Sequence, residues 1–179
     1  MKPAVFLDRD GTLIEEVGHL GDPDGVVVLP GVPQTLRRLA DAGFALVVIS
    51  NQGGVARGFF TEDDVRAVCD RTAGLLASEG ATIDAWYHCP HHPDFGEPCE
   101  CRKPAPGMLL RAAREHDLDL GSSWMVGDHL VDVQAGAAAG ARPIKVLTGH
   151  GLLHGDGEPG PDVPVVDDLP AAADLILKP

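Results

Sequence analysis

The feature that most constrains this chain is a short apolar run near its start that leads directly into a pair of aspartates. Residues 4–7 (Ala-Val-Phe-Leu) precede the segment Asp8-Arg9-Asp10-Gly11-Thr12. A continuous apolar run is typical of a strand that is buried on both faces of a parallel sheet. Ligands of open α/β sheets bind at the carboxyl ends of such strands. We therefore expect the two carboxylates to lie side by side at a binding site.

The two aspartates favour magnesium chemistry. Adjacent carboxylates repel each other, and Mg²⁺ relieves the repulsion because it takes oxygen ligands and shares them with substrate phosphates. One aspartate can then act as a nucleophile and the other as a general acid and base. The alternative is a turn capped by aspartate side chains, which is common after strands. A buried strand that feeds D-x-D-G-T is a richer pattern than such a turn and favours Asp8 and Asp10 as catalytic residues.

The rest of the chain alternates apolar runs with helical periodicity. The pattern predicts strands at 44–49, 83–88, 124–128, 143–147 and 165–166, a short one at 26–29, and helices at 32–42, 61–78, 106–116, 133–139 and 170–177. Such alternation indicates a parallel sheet with right-handed crossovers. We predict an α/β fold, a Rossmann-like three-layer sandwich with a mostly parallel central sheet. The 179 residues suit one domain, 1–179, without an internal linker.

A polar, glycine-rich turn follows the second predicted strand. Its residues are Ser50, Asn51, Gln52 and Gly53, and the turn is expected at the same sheet edge as the aspartates. The Ser50 hydroxyl and the turn's backbone N–H groups suit phosphate oxygens, although an ordinary turn or helix cap is the alternative. Arg57, a few residues on, binds a substrate anion or pairs with a surface carboxylate.

A second acidic pair begins where the predicted strand at 124–128 ends. Asp128 is expected at the same edge, where it completes the magnesium site. Asp132 lies one helical turn later, where it ligates or orients, or merely places a favourable charge at a helix N-terminus. In the loop after Thr12, Glu16 and His19 either contact substrate or belong to a solvated loop.

Cysteines and histidines cluster after the third predicted strand. Cys89 and His91 are followed, after a short loop, by Cys99 and Cys101. Three thiolates and an imidazole form a complete tetrahedral set for a structural Zn²⁺, and His92 is the second choice for the imidazole. The alternatives are unliganded cysteines or a disulfide, but the ligand number and tight spacing favour zinc.

Two cations, Arg102 and Lys103, follow the last of these cysteines directly. A zinc-held loop would fix both in place. Lys103 can then neutralise a transferring phosphoryl group, and Arg102 can make a bidentate contact with a second anionic group. The alternative is a pair of solvated basic residues.

The overall charge limits the possible partners. Fourteen Lys and Arg against 27 Asp and Glu give a net charge of −13, which disfavours nucleic acids and anionic membranes. No apolar run is long enough to span a bilayer, and charges come too early for a signal peptide. In a reducing compartment, clustered cysteines indicate a metal site more than a disulfide. We expect a cytoplasmic monomer that acts on a small phosphorylated substrate.

These segments together resemble a known family. Asp8-Arg9-Asp10-Gly11-Thr12, Ser50 after the second strand, and Gly127-Asp128 resemble motifs of the haloacid dehalogenase superfamily of phosphatases. With the zinc loop and the Arg-Lys-Pro that follows it, the whole chain resembles the branch that contains the D,D-heptose 1,7-bisphosphate phosphatases. Histidinol-phosphate phosphatases carry a similar loop and are the alternative. A non-catalytic, zinc-stabilised binding module is a second alternative.

The resemblance implies specific roles. Asp8 would be the nucleophile, and Asp10 would protonate the leaving sugar oxygen and then activate water. Mg²⁺ would be bound by the Asp8 carboxylate, the Asp10 carbonyl and Asp128. Arg102 would contribute to recognition of a sugar bisphosphate, and Lys103 would stabilise the phosphoryl group at C7.

The resemblance further implies a fold without a large cap domain. The zinc-stabilised loop would shape the site in its place. The chain departs from the family at two substrate-facing positions. His129 stands where a lysine is frequent, so that phosphate contact would pass to an imidazole. His19 stands where an aromatic residue is frequent.

Overall fold

A single parallel sheet organises the molecule. The computed structural model describes residues 1–152 and 157–178. Six strands lie in the order β3-β2-β1-β4-β5-β6, and every neighbouring pair is parallel. Their bounds are β1 Ala4–Leu7, β2 Ala45–Asn51, β3 Ala85–Cys89, β4 Trp124–Gly127, β5 Arg142–Val146 and β6 Val165–Val166.

In the described part of the chain, five helices cover the two faces of this sheet. They are α1 Val32–Asp41, α2 Glu62–Ser78, α3 Gly107–His116, α4 Leu130–Ala139 and α5 Leu169–Ile176, and short 3-10 helices lie at Pro23–Gly25, Leu120–Ser122 and Gly149–Leu152. No helix in the described ranges has the length and apolarity needed to cross a membrane.

The central strand β1 divides the core into two layers. Val5 and Leu7 pack on one side with apolar residues of α1, α2 and α5. Ala4 and Phe6 pack on the other side with residues of α3 and α4. All four side chains are fully buried, as expected for a strand that alternates between two covered faces. The predicted three-layer α/β sandwich is confirmed.

The order of the strands sets the position of the site. The chain moves outward from β1 to β2 and β3, then returns through α3 to place β4 on the other side of β1. This reversal is a topological switch point, and the crevice above the carboxyl ends of β1, β2 and β4 is the place where such sheets bind ligands.

Most predicted elements lie within three residues of those in the structure. The N-terminus of α2 also has the expected form, since Thr61 and Asp64 build a capping box. The strand predicted at 26–29 was wrong: Val28 makes only an isolated bridge with Ile14. Glycine and proline dominate residues 148–164, which predicts a surface loop. Four of these residues, 153–156, lie outside the described ranges.

Candidate active site

Three acidic side chains meet at the switch point. Asp8 follows β1, Asp128 follows β4, and Asp132 lies in the first turn of α4. All three are buried, and one carboxylate oxygen of each lies within 4.8 Å of the others. Gly11, at a φ of +81°, allows this packing, because a Cβ there would collide with the Asp128 carboxylate.

Burial and mutual repulsion perturb this cluster. Burial, reinforced by Asp132 and Asp10 against the attraction of Lys103, raises the pKa of Asp8 to about 6. Burial, reinforced by Asp8 and Asp132, raises the pKa of Asp128 to about 8. Such shifts mean that a cation beside the cluster would favour its ionised form. A buried set of hard carboxylate oxygens suits Mg²⁺, and the residues therefore fit the metal that the sequence predicts.

Lys103 reaches into the cluster from the end of the zinc loop. Its Nζ lies 2.7 Å from Asp8 Oδ1 and 2.6 Å from Asp132 Oδ1, and it donates to the carbonyl of Ile49 at 2.7 Å. Burial acts to lower the pKa of Lys103, but Asp132 and Asp8 outweigh it and raise the pKa above its usual value. The ammonium therefore stays charged beside Asp8. Asp132 therefore pairs with Lys103.

Asn51 holds the backbone of Lys103. Its Nδ2 donates to the Lys103 carbonyl, and its Oδ1 accepts from the Lys103 N–H, both at 3.0 Å. The sequence predicted Asn51 as a substrate contact. The structure gives its amide a second task, which is to fix the position of the lysine.

The carboxylate of Asp10 is held by two side chains. Arg9 donates to it through Nε at 3.0 Å and Nη2 at 3.1 Å, and Gln52 Nε2 donates to Asp10 Oδ2 at 2.9 Å. Gln52 Nε2 also donates to Ser50 Oγ at 2.6 Å. Because Ser50 accepts there, its own O–H can be donated elsewhere. Arg9 was not among the site residues predicted from the sequence. Its burial in the structure depends on this pairing, because a charged side chain is almost never fully buried unless it is paired.

The predicted zinc ligands converge. His91 Nδ1 lies 3.7 Å from Cys89 Sγ and 3.3 Å from Cys101 Sγ, and the sulfurs of Cys89 and Cys99 are 3.7 Å apart. The sulfurs of Cys89 and Cys101 are closer, at 2.7 Å, and all are free thiols. Tetrahedral Zn²⁺ places sulfur and nitrogen ligands roughly 3.5–3.8 Å apart. The four residues therefore fit a zinc ion.

The three thiols of this cluster differ in pKa, and burial raises the pKa of Cys89 and of Cys101. Burial opposes ionisation of Cys99, but the backbone N–H of Arg102 and the neighbouring thiols outweigh it and lower the pKa of Cys99 to about 7. A thiol of low pKa supplies the thiolate that zinc requires. His92, the second choice for the imidazole ligand, instead pairs its Nε2 with Arg57 Nη2 at 2.7 Å.

Two arginines flank the pocket on the side of the zinc loop. Arg102 Nη1 donates to the carbonyl of His91 at 3.0 Å. The Arg57 guanidinium contacts His92 and lies 5.7 Å from the ring centroid of Phe95. A Cβ at Gly53 would lie 3.1 Å from both Arg102 and His92, so a glycine at this position allows their close approach.

The opposite wall carries the remaining predicted residues. Glu16 Oε2 lies 3.6 Å from His150 Nε2, and the rings of His150 and His129 are 5.7 Å apart. His19 stacks on Phe59 at 4.7 Å. His150, whose N–H donates to Asp128 Oδ2 at 2.6 Å, was missed from the sequence because it lies in a glycine-rich segment with no motif.

One pocket of about 420 Å³ collects these groups. All the predicted magnesium and substrate residues line it except Ser50, which lies behind Gln52. The zinc cluster lies beside the pocket and is not part of its lining.

Comparison with known proteins identifies the family. A family model of HAD-hydrolase-like proteins matches residues 100–172. The D-glycero-beta-D-manno-heptose-1,7-bisphosphate 7-phosphatase of Yersinia pestis is 43% identical over 98% of this chain and 90% of its own. The D-glycero-D-manno-heptose-1,7-bisphosphate 7-phosphatase of Thermosynechococcus vestitus is 43% identical over 98% of this chain and 95% of its own.

Structural comparison agrees. The crystal structure of D,D-heptose 1,7-bisphosphate phosphatase from B. bronchiseptica, complexed with magnesium and phosphate, superposes with a TM-score of 0.89. It is 40% identical in sequence and covers 98% of each chain. Identity at this level over nearly the full length places the chain in the D-glycero-D-manno-heptose-1,7-bisphosphate 7-phosphatase family of haloacid dehalogenase-like hydrolases.

Proposed function

We propose that this protein hydrolyses the C7 phosphate ester of D-glycero-D-manno-heptose 1,7-bisphosphate and releases heptose 1-phosphate and inorganic phosphate. The observation that carries the proposal is the 43% identity, over 98% of the chain, to a relative with that name. The site supports it, because the buried Asp8 carboxylate lies beside the Lys103 ammonium. It faces the same pocket as the Asp10 carboxylate, which Arg9 holds separately.

Asp8 and Asp10 divide the reaction into two steps. First, the Asp8 carboxylate attacks phosphorus, the bond from phosphorus to the C7 oxygen breaks, and a proton from Asp10 goes to that oxygen. Water then attacks the aspartyl-phosphate, gives a proton to Asp10, and releases phosphate and the free Asp8 carboxylate. The proton that Asp10 loses in the first step is thus replaced in the second. Lys103, 2.7 Å from Asp8, balances charge at the phosphoryl group in both steps.

The Asp8 carboxylate, the Asp10 carbonyl and the Asp128 carboxylate would hold Mg²⁺. When bound, the metal supplies positive charge that offsets the carboxylates and the phosphoryl oxygens. Ser50 lies behind Gln52 and outside the pocket lining; its hydroxyl accepts from Gln52, and it would support the phosphate site through that side chain.

The two arginines beside the zinc loop would recognise the second phosphate. Arg102 and Arg57 both line the pocket, and a guanidinium matches phosphate geometry through paired N–H donors. Zinc would act structurally, because its four ligands leave no open coordination position. It would fix the loop that carries Arg102 and Lys103.

The net charge and the metal-ligand residues indicate the compartment in which the enzyme works and the partners that it excludes. We also propose that the chain works as a single catalytic domain and a monomer, since one chain supplies every group named above. A net charge of −13 disfavours nucleic-acid and membrane partners. A site built from three thiols suits the reducing cytoplasm.

The test is phosphate release with Mg²⁺ on three substrates: the α and β anomers of heptose 1,7-bisphosphate, and histidinol phosphate. We expect kcat/KM to be highest for one bisphosphate anomer, and one phosphate to be released per molecule. Preference for histidinol phosphate would contradict the proposed substrate. It would also require a different role for Arg57 and Arg102.

A further inference from the structure

A buried cation of the catalytic loop has no role in the mechanism above. Arg9 stands between the two catalytic aspartates, yet its side chain is fully buried. Arg9 is among the residues that line the pocket, but its guanidinium donates to protein groups instead of being free to bind a phosphate. Its donors go to two other side chains, Asp10 and Cys69. Its role therefore lies in its effect on these two neighbours.

The contact with Asp10 is two-pronged. Arg9 Nε and Nη2 donate to Oδ2 and Oδ1 of the same carboxylate at 3.0 and 3.1 Å. A bidentate pair of this kind sets the plane of the carboxylate as well as its distance. Cys69 Sγ, on α2, accepts from Arg9 Nη1 at 3.8 Å and so holds the other end of the guanidinium. The arginine thus ties the carboxylate to a helix of the core.

The geometry leaves one oxygen of Asp10 less occupied than the other. Oδ2 accepts from Arg9 Nε and from Gln52 Nε2, whereas Oδ1 accepts from Arg9 Nη2. A carboxylate oxygen has two lone pairs, so Oδ1 keeps one for a proton. The Asp10 side chain is 19% exposed, against 1% for Arg9. The carboxylate is therefore the more accessible partner of the pair, while the side chain of its anchor is buried.

We propose that Arg9 is a positioning residue that aims Asp10 Oδ1 at the leaving oxygen in the first step and at the attacking water in the second. The inference rests on the proposed roles of Asp8 and Asp10, but not on the identity of the sugar. Proton transfer requires the acid within hydrogen-bond reach of the leaving oxygen. A carboxylate free to rotate would meet this condition only part of the time.

The test compares leaving groups that differ in their need for a proton. Phenyl phosphate releases phenol, which resembles a tyrosine side chain with a pKa of about 10, whereas p-nitrophenyl phosphate releases a much more acidic phenol. For Arg9→Lys, which keeps the charge but loses the planar fork, we expect kcat/KM for phenyl phosphate to fall roughly 10²-fold. For p-nitrophenyl phosphate kcat/KM should hold, because that leaving group departs without a proton.

A second readout separates positioning from general damage. With p-nitrophenyl phosphate, Arg9→Lys should lower kcat and KM together and give a burst of product equal to the enzyme concentration, since water activation by Asp10 becomes slow. Arg9→Met should give the same burst and a larger fall in kcat and KM. Cys69→Ala, which leaves the pair with Asp10 intact, should show these effects only weakly. Equal losses of kcat/KM for the two aryl phosphates, without a burst, would overturn the proposal.

The aryl substrates keep this test independent of the proposed function. Failure of the wild-type enzyme on heptose bisphosphate would refute the substrate, while the ratio between phenyl and p-nitrophenyl phosphate would still report on Arg9.

Discussion

Replacement of Lys103 by methionine should destabilise the protein far more than the loss of an ordinary surface lysine. The side chain is 3% exposed, and its ammonium lies 2.7 Å from Asp8 and 2.6 Å from Asp132. Methionine fills similar space but leaves these buried carboxylates without their cation. Removal of one partner of a buried ion pair costs about 3–5 kcal/mol, largely because the remaining charge is uncompensated.

The cost can be checked by thermal unfolding in buffer without added magnesium. For a chain of this size, 1 kcal/mol corresponds to roughly 2–4 °C in Tm, so Lys103→Met should lower Tm by roughly 6–20 °C. Magnesium should restore part of the loss, because it supplies positive charge to the same carboxylates. Phosphate release should fall by about 10²–10³-fold, as for other lost electrostatic donors.

A double-mutant cycle isolates the charge effect. Asp132→Asn removes one of the two carboxylates that Lys103 neutralises, so Lys103→Met should cost less in that background. We expect the sum of the two single-variant losses in the free energy of unfolding to exceed the loss in the double variant by about 1–3 kcal/mol. A strictly additive cycle, or a Tm change no larger than that of an exposed lysine, would refute the claim that the ammonium balances this cluster.

Four further outcomes are expected. Asp8→Asn should abolish phosphate release with an unchanged circular dichroism spectrum, and retained turnover would remove Asp8 as nucleophile. Cys101→Ser should lose bound zinc and lower Tm, whereas Cys69→Ala should keep its zinc by elemental analysis. Gly11→Ala should cost about 1–2 kcal/mol for its positive φ and raise the magnesium concentration needed for half-maximal activity, because the new Cβ displaces Asp128. Thr61→Ala should cost about 1 kcal/mol in urea unfolding through loss of the α2 cap.

The sequence allowed the elements and the main site to be predicted for one physical reason. Each functional segment directly follows an apolar run, and the carboxyl ends of parallel strands meet at one edge of a sheet. Asp8, Ser50 and Asp128 could therefore be grouped without knowledge of the strand order. The zinc ligands could be grouped because they lie within 13 residues of each other on one loop, from Cys89 to Cys101.

The positioning residues could not be predicted in the same way. The contacts of Arg9 with Cys69, of Gln52 with Asp10, and of Asn51 with Lys103 join residues that are 60, 42 and 52 positions apart. They depend on the direction of individual side chains, which residue spacing does not determine. By composition alone, a basic residue in a polar loop is expected at the surface. Arg9 is instead buried because Asp10 and Cys69 satisfy its donors.

The charges of the site explain why these contacts belong together. When Asp8, Asp10, Asp128 and Asp132 are all ionised, four carboxylates meet two cations, Arg9 and Lys103, and two negative charges are left uncompensated. Arg9 neutralises Asp10 and Lys103 bridges Asp8 and Asp132, so the deficit falls on the side of the cluster next to Asp128. That is where the pKa is raised most, to about 8. A divalent cation matches this deficit in charge and in position, whereas a monovalent ion would leave a buried charge unpaired.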